Sequence, residues 1–438
     1  MRALYNLLWH LALPLLPLRL WWRARREPGY RERIGERYGS YRNDGGGASS
    51  PVLWVHAVSL GETRAAVPLV GRMKRAYPDA TVLLTHMTAT GRAAGRLLFG
   101  DRVVQAWLPY DVPFAVRAFL AHYKPRAGLI VETELWPNLV ALAHDAGVPI
   151  FLVNARMSEK SAAGYARVPT LARPMMASLA GVAAQSEADA ARLSALGAPK
   201  PVVTGNLKFD ADIDDGALAL GRELRMRFGE TRPVWLAGST RAGEETLILD
   251  ALAASTLPPD TLTVIVPRHP QRFDEVATLL RQRGVPFAHR SANVPVPADI
   301  GVVLGDSMGE MAGYCAAADV VFVGGSLVPL GGQNLIEPIA AGRPTLVGPH
   351  MFNFAEATEK ARAAGAALEV ADAGALVAEV AALLADRARR DAMREAALAF
   401  HAAHRGAADR LWAWLSPQLA TAIAGTATRA KPLASVSP

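Results

Sequence analysis

From Pro51 onward the chain alternates short, apolar, β-branched runs with helical stretches of roughly ten to fifteen residues, the pattern of parallel βαβ units. In the first half the predicted strands are Val52 to Ala57, Thr81 to Thr85, Val103 to Leu108, Gly128 to Val131, Ile150 to Asn154, Gly181 to Ala184 and Val202 to Thr204. The polar, acidic stretch Asp210 to Gly216 then interrupts the pattern and reads as a linker. A second series follows at Val234 to Ala237, Thr261 to Val266, Val285 to His289, Gly301 to Leu304, Val320 to Val323 and Thr345 to Val347, and an Ala-rich helical stretch from Leu376 closes the chain. The prediction is an α/β protein with two Rossmann-like, doubly wound domains of similar size facing a central cleft. The expected limits are 1–26 for an N-terminal segment with its basic flank, 27–209 for the first domain, 210–216 for the linker, 217–400 for the second domain, and 401–438 for a closing helix and tail. A Gly/Ser-rich segment, Gly45 to Ser50, separates the basic N-terminus from the first strand.

The N-terminus departs from this pattern. Ala3 to Leu18 is uncharged and has Leu at eight positions, and it runs into Arg19, Trp21, Trp22, Arg23, Arg25 and Arg26. A spanning helix needs ~20 apolar residues, a length that Ala3 to Trp22 reaches only by including Arg19, Pro14 and Pro17. Tryptophans beside arginines fit an interfacial belt against an anionic leaflet, so the segment reads as a membrane anchor holding the body on the cytoplasmic side. A buried core helix and an export signal are the competing readings. Of the net charge, 47 basic minus 40 acidic or +7, nine Arg minus three Glu places +6 in Met1 to Arg42, leaving +1 for the remainder. That distribution argues against a nucleic-acid partner, whose binding face would be basic. Cys315 is the only cysteine, which excludes a disulfide scaffold and a Cys-based zinc cluster.

In an open parallel sheet, ligands bind beyond the carboxyl ends of strands. That rule selects His56 to Arg64, where Ser59 or Gly61 would cap a helix with Glu62 in its first turn. Glu62 is there either to complement the helix dipole or to act as a general base. The next strand end carries Glu132 and Glu134 astride Thr133, two carboxylates in an apolar setting. Lys208 ends TGNLKFD just before the linker, as a surface lysine or as a group that offsets departing phosphate charge. In the second half, Gly238, Ser239 and Thr240 have the form of an anion-binding turn, and Pro267 and Arg268 follow a strand where an Arg could meet phosphate. The glycine-rich run Gly324 to Asn334 lets backbone approach a ligand, and Glu337 beyond it could accept from a ribose diol. His401 and His404 lack a third ligand, and the Asp-x-Asp pairs at Asp210, Asp212 and Asp214 read as solvated linker, so no metal is implied.

The strings HAVSLGE, ETELWPN, NARMSEKSAAGY, TGNLKFD, VPRHPQRF, GDSMGE and GGSLVPLGGQNLIEP, in this order, resemble the 3-deoxy-D-manno-octulosonic acid (Kdo) transferase family over essentially the whole chain. The resemblance implies a GT-B type glycosyltransferase that moves Kdo from CMP-Kdo to a lipid A precursor at the cytoplasmic face of the inner membrane, without a cofactor. It implies Glu62 as general base, Glu132 and Lys208 as transition-state stabilisers, and CMP on Pro267, Arg268, Met308, Gly309, Glu310, Asn334, Leu335, Ile336 and Glu337. Expected partners are CMP-Kdo, lipid A precursor and inner-membrane lipids. The alternatives are a GT-B enzyme using a UDP-sugar on a membrane lipid, a UDP-GlcNAc epimerase, and a non-catalytic membrane-tethered nucleotide sensor.

Overall fold

The computed structural model describes residues 1–25, 27–41, 50–210, 213–254, 257–258 and 260–425. Arg26, residues 45–49 of the Gly/Ser-rich segment, Ala211 and Asp212 of the linker, and the tail 426–438 lie outside the described residues. The chain divides into two compact units, Met1–Asp210 with Gly406–Pro438, and Ala211–Arg405.

The first unit contains a parallel sheet of β1 (Val52–His56), β2 (Thr81–His86), β3 (Val104–Trp107), β4 (Pro125–Val131), β5 (Ile150–Ala155), β6 (Gly181–Ala184) and β7 (Val202–Val203). Parallel strands are covered on both faces and so read as continuous apolar runs; β1, VLWVH, is buried at every position. Trp54, Leu83, Ile130 and Leu152 face one helical layer, and Leu53, Val55, Leu84 and Leu129 face the other. The order is β3-β2-β1-β4-β5-β6-β7. Winding reverses at β1, which puts the switch-point crevice beyond the carboxyl ends of β1 and β4.

The second unit repeats the plan with β8 (Val234–Thr240), β9 (Leu262–Pro267), β10 (Phe287–His289), β11 (Val302–Leu304), β12 (Val320–Val323), β13 (Thr345–Val347) and β14 (Ala367–Glu369), in the order β10-β11-β9-β8-β12-β13-β14. Its switch point lies at β8, between β9 and β12. The pattern of apolar runs misses β14, whose Ala-Leu-Glu sequence lacks β-branched residues. It also ends β8 at Ala237, whereas the strand continues to Thr240 and the next helix begins only at Glu244.

Two further expectations are corrected. Residues 401–438 are not one closing segment: the helix Arg387–His404 belongs to the second unit, Gly406 turns the chain at φ 84°, and the helix Ala407–Ala424 returns to the first. There Leu411, Leu415 and Leu419 complete the apolar layer over β1 and β4. Asp210 is not solvated linker, because its carboxylate accepts from the amides of Gly406 (2.6 Å), Ala407 (3.1 Å) and Ala408, capping the returning helix from 196 residues earlier. First-turn amides have no partner within their own helix, and an acidic side chain supplies one.

The N-terminal segment forms two helices, Arg2–Ala12 and Leu16–Ala24, joined by the 3-10 turn Leu13–Leu15. Pro14 and Pro17 each open an element, since proline has no amide to continue the preceding helix. Among the described residues no helix is long and apolar enough to cross a membrane. The first helix has inverted faces. Arg2, Tyr5, Asn6 and Trp9 point to the body of the first unit, while Leu4, Leu7, Leu8 and Leu11, followed beyond the helix by Leu15 and Leu18, are exposed by 51% to 66%.

Candidate active site

Three groups singled out in the sequence meet at the switch point of the first sheet. Beyond β1, Ser59 caps the helix Leu60–Ala65, its hydroxyl accepting from the Glu62 amide at 3.4 Å and donating to Glu62 Oε1 at 2.9 Å. Glu62 Oε2 accepts from the Val58 amide at 2.6 Å. The Ser-x-x-Glu spacing is that of a reciprocal helix cap, and it pins the carboxyl in place. Burial, then the charge of Glu132, push Glu62 up to about 7, against the lowering effect of those hydrogen bonds. His56, at the end of β1, is no proton carrier: burial and His86 pull it down to about 3, so it stays neutral.

Beyond β4, Glu132 adopts φ 62°, a left-handed conformation uncommon for a side-chain-bearing residue. Its carboxylate lies 3.0 Å from the Lys208 ammonium. Glu134, two residues on, is held above the ordinary carboxyl range by burial and by Glu132, and its charge adds to the burial that raises the Tyr165 phenol. Lys208 sits in a 3-10 turn, Leu207–Asp210, that two asparagines shape. Asn154 Oδ1 accepts from the Leu207 amide at 2.9 Å, and Asn206 Oδ1 from the Lys208 amide at 3.0 Å. Asn154 is fully buried at the end of β5 with φ 51°. It was not singled out in the sequence; its signal is an Asn at a strand end, a residue type that tolerates the left-handed region.

In the second unit the expected nucleotide residues cluster at the carboxyl edge of the sheet. Pro267 ends β9 and is buried. The Arg268 amide donates to Thr240 O, and its Nε to Gln333 Oε1, each at 3.0 Å. Gln333 was missed in the sequence; it ties Arg268 to the glycine-rich run. After β11, Met308 is exposed, Gly309 has φ 80°, and Glu310 accepts from Ser307 Oγ at 2.7 Å and pairs with Arg290 at 3.2 Å. Asn334 Oδ1 accepts from the Ile336 amide at 3.0 Å, and its amide donates to Glu337 at 3.1 Å, fixing Leu335 and Ile336 between them.

The expectation for Gly238 to Thr240 does not hold. These residues lie in β8 rather than in a turn, and the carboxylate of Glu244, in the first turn of the following helix, binds the chain's own amides: buried Glu244 accepts from the amides of Arg241, Gly325, Ser326 and Leu327 at 2.6 to 3.0 Å. The first part of the glycine-rich run is thus folded around Glu244. Gly324 is required by close approach, since a Cβ there would lie 2.5 Å from the Ser239 carbonyl oxygen.

The chain is similar to known proteins. A family model described as 3-Deoxy-D-manno-octulosonic-acid transferase (kdotransferase) matches residues 32–211. The chain is 47% identical over 424 residues to 3-deoxy-D-manno-octulosonic acid transferase of Bordetella pertussis, covering 93% of this chain and 97% of that one. It is 38% identical to the protein of that description from Haemophilus influenzae, covering 90% and 93%. Among solved structures, HepE of Anabaena in complex with UDP aligns with TM-score 0.56 at 16% identity over 85% of this chain and 100% of that one, a likeness of fold alone.

Proposed function

The chain belongs to the 3-deoxy-D-manno-octulosonic acid (Kdo) transferase family and is a glycosyltransferase that transfers Kdo, and we propose that Glu62 takes the acceptor proton in that transfer. A sugar hydroxyl is far too weakly acidic to attack at neutral pH unaided, so a positioned base is worth ~10²–10⁴-fold. The observation that carries the reading is the buried Glu62 carboxyl, fixed by Ser59 and Val58 and raised to about 7, where it changes protonation state near working pH.

In this reading the acceptor oxygen bonds to the anomeric carbon of Kdo as its proton passes to Glu62. The bond from that carbon to CMP breaks with its electron pair on phosphate, and attack opposite the leaving group inverts the centre. Lys208, held by Glu132, offsets the charge that develops. CMP-Kdo is the donor: Arg268 meets phosphate, Glu337 accepts from the ribose hydroxyls, and the Met308–Glu310 turn and Asn334–Ile336 complete the nucleotide contacts. The acceptor is a lipid A precursor. Incubating protein, CMP-Kdo and lipid A precursor should add the mass of Kdo to the lipid, and Glu62→Gln should abolish the increment within the same time. Substantial transfer by Glu62→Gln, with its CMP affinity intact, would overturn Glu62 as base.

The exposed leucine row with Trp21, Trp22, Arg19 and Arg25 supports an in-plane anchor on an anionic membrane surface, at the cytoplasmic face of the inner membrane. Leu8→Glu with Leu11→Glu should release the protein from anionic vesicles, and continued sedimentation with them at high salt would reject the anchor.

A further inference from the structure

The turn carrying Glu132 and Glu134 runs directly into the helix Pro137–Asp145, so the start of that helix sets where the turn can lie. This helix lacks a cap of its own: Trp136 at the N-cap makes no side-chain capping bond, and Pro137 has no amide. The next two amides are satisfied from a distance by Asp111, which is 3% exposed. Its Oδ2 accepts from Asn138 at 2.9 Å and its Oδ1 from Leu139 at 2.8 Å.

The polar face of the N-terminal helix closes this arrangement. Tyr5 donates its hydroxyl to Asp111 Oδ2 at 2.8 Å. Asn138 donates through Nδ2 to Asn6 Oδ1 and to Asp111 O, both at 2.7 Å, and its Oδ1 accepts from Arg2 Nε at 3.0 Å. The Trp9 ring packs against those of Tyr110 and Trp136, with centroids 5.8 and 6.2 Å apart. Burial, then the Asp111 charge, push the Tyr5 phenol far above its ordinary value, so it remains a donor throughout the working range. A helix that served only to hold the protein on a membrane would need its leucine row and nothing on the opposite face. Here four successive inner-face residues, Arg2, Tyr5, Asn6 and Trp9, all end on Asp111, Asn138 or the aromatic residues beside them.

We propose that the helix Arg2–Ala12 is a positioning element of the transferase, in which Tyr5 and Asn6 act through Asp111 and Asn138 to fix the Glu132–Glu134 turn. This rests on the reading of Glu132 as a transition-state group. The helix therefore has two separable tasks, one on each face, and the inner one operates without a membrane.

The test uses the full chain, CMP-Kdo and lipid A precursor dispersed in detergent, so that membrane recruitment cannot affect the result. Tyr5→Phe removes one oxygen and keeps the ring; Tyr5→Phe with Asn6→Ala also removes the bond to Asn138. The double variant should lose about tenfold in kcat, in keeping with the steep cost of small misplacements. Its KM for CMP-Kdo and binding to anionic vesicles should stay at parent values, measured well below a melting temperature lowered by the loss of two part-buried hydrogen bonds. The acid limb of its kcat/KM profile should move to lower pH, because a displaced Glu132 charge no longer raises Glu62. Parent kcat and an unmoved acid limb in detergent would overturn the proposal. So would a kcat loss that persists undiminished in a Glu132→Gln background, since coupling through that turn predicts non-additivity. Glu132→Gln on its own reports separately on the role given to Glu132: parent-level transfer there would remove that role, whatever Tyr5→Phe does.

Discussion

The carboxyl edges of the two sheets use carboxylates in opposite ways. In the second unit Asp306, Glu245 and Glu310 have partners that hold their charge, and Glu244, the exception, is raised by burial yet enclosed by four backbone amides. Burial pulls Asp306 upward, but hydrogen bonds from the Ser291 hydroxyl and amide and from His289 outweigh it and leave its pKa below the ordinary value. Glu245 pairs with Arg272, and Glu310 with Arg290 and Ser307. In the first unit Glu62 and Glu134 share one acidic neighbourhood with Glu132, and burial with like charge wins. A site that holds a ligand gains from fixed charges. A site that must accept a proton needs a carboxyl whose charge is costly.

The sharpest way to break this contrast is Glu62→Gln. Transfer should fall by ~10²-fold or more while CMP affinity stays unchanged; near-normal kcat would reduce Glu62 to the helix cap it also forms. On the other side, Arg268→Ala and Glu337→Ala should each weaken CMP binding by ~1–3 kcal/mol, with kcat at saturating donor little altered. Calorimetric titration giving parent affinity for both variants would move the nucleotide elsewhere. Asn154→Gly sharpens the first-unit half of the comparison, because glycine accepts φ 51° while the side chain that holds the Leu207 amide is lost. We expect kcat to drop about tenfold and no further loss in a Lys208→Met background, the mark of a residue acting through Lys208. Additive losses would mean that Asn154 acts independently.

The smallest effect is on stability. Glu62 has a pKa raised from 4.5 to about 7 in the fold, so its protonated form favours folding. That contribution is whole below pH 4.5 and is lost as pH rises through about 7. Gln stays neutral throughout, so the melting temperature of Glu62→Gln relative to the parent should be more favourable at pH 8 than at pH 5. A difference that shrinks with rising pH would mean that Glu62 is not a strained carboxylate. With Glu62 as the proposed base, the parent's kcat/KM should for the same reason fall below about pH 7 as Glu62 is protonated.

Thirteen of the strands follow from local apolar runs; inside each sheet a strand buried on both faces must be apolar whatever its neighbours are, while the edge strands β7 and β10 are only partly buried. Glu62, Glu132 and Lys208 were accessible for a related reason, as each lies just past a strand end. What the sequence left hidden depends on partners far along the chain. Asp210 and the Gly406 amide are 196 residues apart, and Glu244 reaches Gly325 across 81. Spacing alone made the first a solvated linker residue and left the amides around the second free for a ligand. The leucine-rich N-terminus was legible as apolar, but its inner face was not: nothing local says that Asn6 will meet Asn138, 132 residues on.

The return of the helix Ala407–Ala424 to the first sheet has a consequence for how the protein is made. A ribosome releases the chain from its N-terminus, and domains ordinarily close in that order. Here the first unit stays without the layer formed by Leu411, Leu415 and Leu419 until the residues after Arg405 are synthesised. The second unit, contiguous from Ala211 to Arg405, has all its strands earlier. Nascent chains should therefore protect the later-synthesised unit first, with the earlier one maturing only when Gly406 and the residues after it arrive at Asp210.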